Sequence, residues 1–154
     1  MYKRQSNNHA SLYTVGTGDF TSSVSLSTNT WIHVAWVIYN GNATIYVNGV
    51  QVANASGASS AMSATHLTIG TDASAWSLST RHFNGSIFQP MVTAKAKYTA
   101  NFTPANDLSV GASSNPVLFF LNPGIGGVLK DLVTQQTMTI AGNSVSATDS
   151  RYLA

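Results

Sequence analysis

The chain of 154 residues contains no cysteine and no glutamate, and each absence removes a class of chemistry. Without cysteine there is no disulfide, no thiolate nucleophile and no zinc–thiolate site. A glycosidase-type carboxylate pair would have to come from the five aspartates. These are Asp19, Asp72, Asp107, Asp131 and Asp149. No two of them are two residues apart, so no strand carries a pair on one face. The sequence therefore predicts no catalytic residues, no cofactor and no enzymatic activity.

Charge is also scarce, because only 8 % of the residues are charged and the formal net charge is +2. The seven basic residues are scattered, whereas nucleic-acid-binding proteins gather Lys and Arg to neutralise several phosphates. The most apolar stretch, residues 31–39, is much shorter than the roughly 20 residues of a membrane-spanning helix, and the N-terminal residues lack the apolar run of a secretory signal. We therefore expect a soluble protein that is not conventionally exported and has neither a nucleic-acid nor a membrane partner.

Turn signals in residues 31–54 predict a three-stranded meander. Two Asn-Gly dipeptides, at 40–41 and 48–49, separate apolar runs at 31–39, 43–47 and 50–54. Asn-Gly is favoured in two-residue hairpin loops because both residues take positive φ there. Glu, Lys and Arg, which are strong helix formers, are rare, whereas β-branched and aromatic residues are frequent. The composition and the turns together predict an all-β protein with little or no helix.

Two-residue loops fix the register of the meander and predict which side chains share a face. The predicted pairs are Tyr39 with Asn42, Val47 with Val50, and Ile45 with Val52. The face predicted to be the core is wholly apolar: Val34, Trp36, Ile38, Ala43, Ile45, Val47, Val50 and Val52. The second face carries His33, Ala35, Val37, Tyr39, Thr44, Tyr46, Gln51 and Ala53. Its ring-bearing residues are expected to be covered by a loop or neighbour rather than to line a groove, and Trp31 and Trp36 are assigned to the core.

The remaining apolar runs predict a sandwich rather than a β-α-β fold. Further strands are expected at 12–15, 20–26, 66–69, 83–92, 117–121, 138–140 and near 145. Pro90 lacks an N–H, which implies a sheet edge or a bulge at that point. The expected architecture is a two-sheet antiparallel sandwich in a single domain, 1–154, with an N-terminal arm at 1–10 and closing strands at 117–147.

Several motifs resemble one family. The segments Trp31–Ala35, Ile45–Gly49, Leu67–Gly70 and Phe83–Ile87 follow the order of signatures in laminin-G-like, concanavalin A-like jelly-roll domains. The stretch Ala96–Pro104 is similar to a tail common in bacteriophage versions of this domain, with Lys97 where Arg is usual. The resemblance implies a jelly-roll fold in a phage particle protein.

The order of elements departs from the family pattern at one point. Such domains usually open with an apolar strand, an Asp and a Gly-Asn strand pair, whereas the similar residues here, 117–121, Asp131 and 140–143, come last. Two explanations stay open: circular permutation of the domain, or addition of a strand to a neighbouring subunit.

The candidate ligand site is the loop 71–80 with the residues that follow it. Trp76 lies among small polar residues, where its indole ring would stack on a pyranose while Asp72, Arg81, His82 or Asn84 bonds the hydroxyls. The alternative is that Trp76 folds inward or packs on a partner subunit. A lone Asp in a turn is more typical of an Asx-turn than of a metal ligand, so no metal is predicted.

Two functions follow from these expectations. The first is a non-catalytic virion structural protein, a capsid decoration or cement protein of a phage head. It would contact other virion proteins, form a symmetric homo-oligomer such as a trimer, and join virions assembled in the host cytoplasm. The alternative is a carbohydrate-binding receptor-recognition domain of a phage tail fibre or adhesin, with a surface polysaccharide as ligand.

Overall fold

The computed structural model describes residues 8–14, 17–59, 69, 83, 85–105, 117–123 and 129–131. All regular secondary structure in these ranges is β-strand, and they contain no helix of the length and apolarity needed to cross a membrane. The eight strands are β1 (His9–Thr14), β2 (Gly18–Ser25), β3 (Val34–Tyr39), β4 (Asn42–Val47), β5 (Val50–Ser56), β6 (Met91–Thr93), β7 (Val117–Pro123) and β8 (Leu129–Asp131).

The chain divides into two compact units. Unit 1 comprises Met1–Phe83 and Ala96–Asn106 and contains β1 to β5. Unit 2 comprises Asn84–Lys95 and Asp107–Ala154 and contains β6 to β8. The predicted meander, residues 31–54, lies in unit 1.

The predicted meander is present as the antiparallel sheet β3-β4-β5. Both Asn-Gly turns have positive φ at both residues, 48° and 72° at the first turn and 49° and 81° at the second. The predicted pairing of β3 with β4 is confirmed, since Tyr39 lies opposite Asn42 and Trp36 opposite Ile45. A two-residue loop leaves no slack, so the turn sets the register of the whole pair.

The predicted pairing of β4 with β5 holds next to the turn and is wrong from Ile45 onward. Val47 faces Val50 as expected, but the register shifts after Tyr46, so Ile45 faces Ala53 rather than Val52. A bulge that places one extra residue in β5 produces this shift. The shift brings Ala53 onto the core instead of the second face. Val50 keeps its predicted partner but is 54 % exposed, which corrects its assignment to the core.

The hairpin β1-β2 forms a second antiparallel layer in unit 1 and packs on the meander. The buried cluster between the layers consists of small and aliphatic residues from both: Ala10, Leu12, Ala43, Ile45 and Ala58. The partly buried residues around it are Phe20, Leu26, Val34, Trp36, Ile38, Val52 and Ala53. The hydroxyl of Ser23 in β2 donates to the carbonyl of Val52 in β5, 3.0 Å away, which adds a polar link between the layers. The sandwich core therefore lies on the face predicted from the apolar alternation.

Three of the differences between predicted and observed strand boundaries are informative. Strand β3 begins at Val34, so residues 31–33 precede the sheet. Strand β1 begins at His9, so it overlaps the predicted arm 1–10. The strand predicted at 83–92 is wrong over 85–90, because β6 begins only at Met91. Gln89 has a φ of 46°, outside the extended range of a strand, and Pro90 cannot donate to a ladder.

In unit 2 the strands form the antiparallel sheet β6-β7-β8. The strand predicted at 117–121 is present as β7, and Met91 of β6 faces Phe120 of β7. Asp131 belongs to β8 and faces Leu121. The strands predicted at 138–140 and near 145, and most of 66–69, lie outside the described residues.

Candidate functional site

The predicted ligand site is not among the residues that the structure describes. Asp72, Trp76, Arg81, His82 and Asn84 all lie outside the described ranges. Their assignment to a sugar site therefore stays a prediction. The described residues with features of a site are those of the meander in unit 1 and of the segment that packs on it.

Trp31 is exposed, which corrects its assignment to the core. Its side chain is 57 % exposed, whereas Trp36 is partly buried against the core cluster. Alternation predicts burial only within a strand, and Trp31 precedes β3 in a loop in which Asn29 has a φ of 56°. The indole of Trp31 is thus an accessible aromatic surface in unit 1.

A segment from distant sequence covers part of the second face of the meander. We call residues 96–104 the aromatic strap. Two hydrogen bonds attach it to the turn between β4 and β5 and to the start of β5. The Phe102 N–H donates to the Gly49 carbonyl at 2.9 Å, and the Gln51 N–H donates to Asn101 Oδ1 at 2.9 Å. The strap therefore satisfies backbone groups at the end of the sheet where the β5 bulge lies.

Four rings meet between the strap and the sheet. Tyr98 and Phe102 of the strap stack face to face with ring centroids 3.5 Å apart. The Phe102 ring also meets His33 edge-on at 5.4 Å and lies tilted against Tyr46 at 5.6 Å. Tyr46 is only 1 % exposed as a result. The expectation that a loop covers His33 and Tyr46 is confirmed, whereas Tyr39, at the other end of β3, is 51 % exposed.

Gly49 is the residue that permits this close approach. A Cβ built on Gly49 would lie 1.8 Å from the carbonyl oxygen of Phe102 and 3.0 Å from Pro104 Cδ. Gly41, at the equivalent position of the other turn, has nothing within 4 Å of its Cβ position. The glycine at 49 therefore serves two purposes, because it supplies the positive φ of the turn and makes room for the strap.

The strap also changes the electrostatics of His33. Burial, and secondarily the positive charge of Lys97, lower the pKa of the His33 imidazole. Burial raises the pKa of the Tyr98 hydroxyl. The Lys97 ammonium lies 5.7 Å from the centre of the Tyr98 ring. His33 Nδ1 is buried and has no hydrogen-bond partner among the described residues. The lowered pKa favours the neutral form of the imidazole within this ring cluster.

Among the described residues, no group of three or more His, Cys, Asp or Glu side chains could hold a metal ion. Asp19, opposite Tyr13 on the β1-β2 hairpin, is the one acidic side chain described in unit 1. The described part of unit 1 presents the exposed rings of Trp31 and Tyr39 and the packed ring cluster at the strap.

A family model described as the concanavalin A-like lectin/glucanases superfamily matches residues 2–101, well over half of the chain. The chain belongs to this superfamily. Membership and the antiparallel sheets confirm the predicted all-β, two-sheet antiparallel fold of concanavalin A-like type. No curated protein and no solved structure gives a significant match. The superfamily's description covers lectins and glucanases alike, so membership leaves binding and catalysis to be separated by other arguments.

Sequence reasoning missed two features of this concanavalin A-like domain. The first is the exposure of Trp31. It follows from the start of β3 at Val34, because the alternation that predicts burial does not extend to residues before the strand. The second is the partner of the strap: Tyr98 and Phe102, four residues apart, have the composition of a covering segment, but only the tertiary structure shows that they cover His33 and Tyr46.

Proposed function

We propose that the protein is a non-catalytic structural component of a bacteriophage particle, a decoration protein displayed on the head surface. The observation that carries this proposal is the aromatic strap. Residues 96–104 resemble a tail common in bacteriophage versions of the domain. In this chain their rings pack together and their backbone is hydrogen-bonded to the β4–β5 turn, which holds the turn in place. A domain whose turn is held in this way is suited to act as a rigid adhesive unit.

The non-catalytic part of the proposal rests on acid–base chemistry. Glycoside hydrolysis needs two carboxyl groups roughly 5 to 9.5 Å apart on either side of the bond. The chain has five aspartates and no glutamate. The ring cluster centres on an imidazole whose pKa is lowered by burial, which favours its neutral, packed form.

The proposed partners are other virion proteins and further copies of this chain. A trimer is proposed because capsid surfaces offer three-fold positions, and closed symmetry is the rule for homo-oligomers. The location is the virion, assembled in the host cytoplasm. Residues 117–147 are proposed to close the sandwich, either as permuted strands of the same domain or as strands added to a neighbouring subunit.

The test uses the purified full chain and empty capsids of the phage that encodes it. Light scattering after size exclusion is expected to give a trimer, and the chain is expected to co-sediment with the capsids up to a fixed number of copies. Capsids of an unrelated phage are the matched control. A monomer with no affinity for its own capsids would refute the proposal.

A second candidate function, carbohydrate recognition on a tail fibre or adhesin, is favoured by the exposure of Trp31. An accessible indole stacks on a sugar ring, and such a contact contributes about 0.5 to 1.5 kcal/mol, so binding would depend on several copies. Trp76 and its neighbours remain the other proposed platform.

Binding of host-surface polysaccharide to Trp31→Ala and Trp76→Ala separates these platforms. The variant that removes the true platform is expected to weaken binding by about two- to tenfold per site. Tyr39→Ala is the matched control, because Tyr39 is an exposed ring at the far end of β3, a strand that spans roughly 17 Å from Val34. Equal binding by all three variants and the parent chain would rule out recognition by these rings.

A further inference from the structure

The chain repeats one reactive dipeptide in two turns of the same geometry. Asn40–Gly41 and Asn48–Gly49 have nearly equal φ values, 48° and 72° against 49° and 81°. In an Asn-Gly pair the glycine nitrogen can attack the preceding carboxamide with the least hindrance, because glycine has no side chain. Since the dipeptide and the turn are alike, any difference in reactivity must come from the surroundings.

Asn48 is itself exposed, but hydrogen bonds restrain both its carboxamide and its backbone. Its Oδ1 accepts a hydrogen bond from the His33 N–H at 3.0 Å, and its own N–H donates to the His33 carbonyl at 2.8 Å. Gly49 is buried, and its carbonyl accepts the Phe102 N–H at 2.9 Å. The carboxamide would have to leave its hydrogen bond, and Gly49 would have to move against the strap, before the two groups could react.

Asn40 and Gly41 are both exposed, and no atom lies within 4 Å of the Gly41 Cβ position. Their hydrogen bonds beyond the sheet ladder involve only carbonyls: Asn42 Nδ2 donates to the Asn40 carbonyl at 3.1 Å, and the Ala58 N–H donates to the Gly41 carbonyl at 3.0 Å. No hydrogen bond joins the Asn40 carboxamide or the Gly41 N–H to another described residue. The two groups that react are therefore accessible and unrestrained.

We propose that Asn40 is a site of spontaneous deamidation and isoaspartate formation, and that the strap protects Asn48. The Gly41 nitrogen bonds to Asn40 Cγ, the Cγ–Nδ2 bond breaks, and ammonia leaves with the proton from Gly41. Water then opens the cyclic imide at one of its two carbonyls and gives aspartate or isoaspartate. One water is consumed and one ammonia released, so no oxidant or reductant is needed.

The product changes both the charge and the backbone of the turn. One negative charge appears in a chain whose formal net charge is +2. Isoaspartate also inserts a methylene into the turn that fixes the register between β3 and β4. Deamidation at Asn40 would therefore alter the β3–β4 turn of the meander over time, whereas the β4–β5 turn, which the strap covers, would stay intact.

The test is peptide mapping of the folded full chain after incubation at mildly alkaline pH. Chymotryptic cleavage after Tyr39 and Tyr46 places Asn40 and Asn48 in separate peptides, and deamidation adds one mass unit to the peptide that carries it. Asn84–Gly85, a third such pair, falls in another peptide. We expect the Asn40 peptide to convert about tenfold faster than the Asn48 peptide, and the two rates to converge in urea. Equal rates in the folded chain, or faster conversion at Asn48, would overturn the proposal.

Two variants separate the site from its protection. Asn40→Gly keeps a residue that tolerates positive φ and removes the carboxamide, so conversion at position 40 should vanish while Asn48 is unchanged. Phe102→Ala weakens the strap and should accelerate conversion at Asn48 alone. Equal acceleration at both asparagines would contradict protection by the strap. If Phe102→Ala does not fold, the comparison of folded and urea-unfolded parent chain decides the question by itself.

Discussion

Alanine at the two turn glycines separates the conformational role of glycine from its role in seating the strap. Gly41 and Gly49 hold the same position in their turns and have φ values of 72° and 81°. Alanine in this left-handed region costs about 1 to 2 kcal/mol at either site. Gly41→Ala meets open space and should cost only that amount, because no atom lies within 4 Å of the new Cβ.

Gly49→Ala should cost considerably more. The new Cβ would lie 1.8 Å from the Phe102 carbonyl oxygen, so the strap has to move. Displacement breaks the two hydrogen bonds of Phe102 and Asn101 with the turn, each contributing about 0.5 to 1.5 kcal/mol. It also weakens the ring contacts of Phe102 with His33 and Tyr46, each contributing about 0.5 to 1.5 kcal/mol. The excess destabilisation is about 2 to 4 kcal/mol after partial relaxation.

Thermal unfolding followed by circular dichroism measures the difference. A change of 1 kcal/mol shifts Tm by about 2 to 4 °C in a chain of this size, so Gly49→Ala should melt about 5 to 15 °C below Gly41→Ala. Both variants are compared with the parent chain at one protein concentration. Equal melting temperatures for the two variants would refute the argument that the strap is seated against Gly49.

Three further predictions follow from the same contacts. Folding lowers the pKa of His33, so the unfolded chain binds the proton more readily than the folded chain does. The contribution of His33 to the free energy of unfolding is therefore complete above about pH 6.5 and is lost as the pH falls below that value. His33→Phe should flatten this pH dependence in urea titrations at several pH values. Asn101→Ala removes the acceptor of the Gln51 N–H and should lower the free energy of unfolding by about 1 kcal/mol in urea, whereas an unchanged midpoint would mean that water replaces the acceptor. Truncation after residue 110 removes β7 and leaves the edge of its partner strand β6 unpaired, so the fragment should aggregate in sedimentation assays. A soluble, folded fragment 1–110 would contradict a closing role for residues 117–147.

The part of the fold that the sequence predicts well is the part determined by neighbouring residues. The pairing of β3 with β4 follows from one Asn-Gly turn and the apolar alternation beside it. The β5 bulge does not follow in this way, because it lies where Gln51 meets Asn101, which is 50 residues away in the chain. Local periodicity carries no information about such a distant contact.

The candidate site shows the same division between local and distant information. The segment at 96–104 is identifiable from its residues, but its packing against His33 and Tyr46 depends on the tertiary fold. The alternation of β3, when it is extended beyond the start of the strand, predicts a core position for Trp31, and this prediction is wrong because Trp31 precedes the strand. The proposed ligand residues around Trp76 lie outside the described part of the chain, so their role stays a prediction from the sequence.

The location of the chain on intact phage particles tests the central claim most directly. Cryo-electron microscopy of purified virions, with the chain labelled by a specific antibody fragment, is expected to show label at symmetric positions on the head surface. Label confined to the tail fibres would favour the receptor-recognition function instead. Virions that carry no copy of the chain would contradict a structural role in the particle.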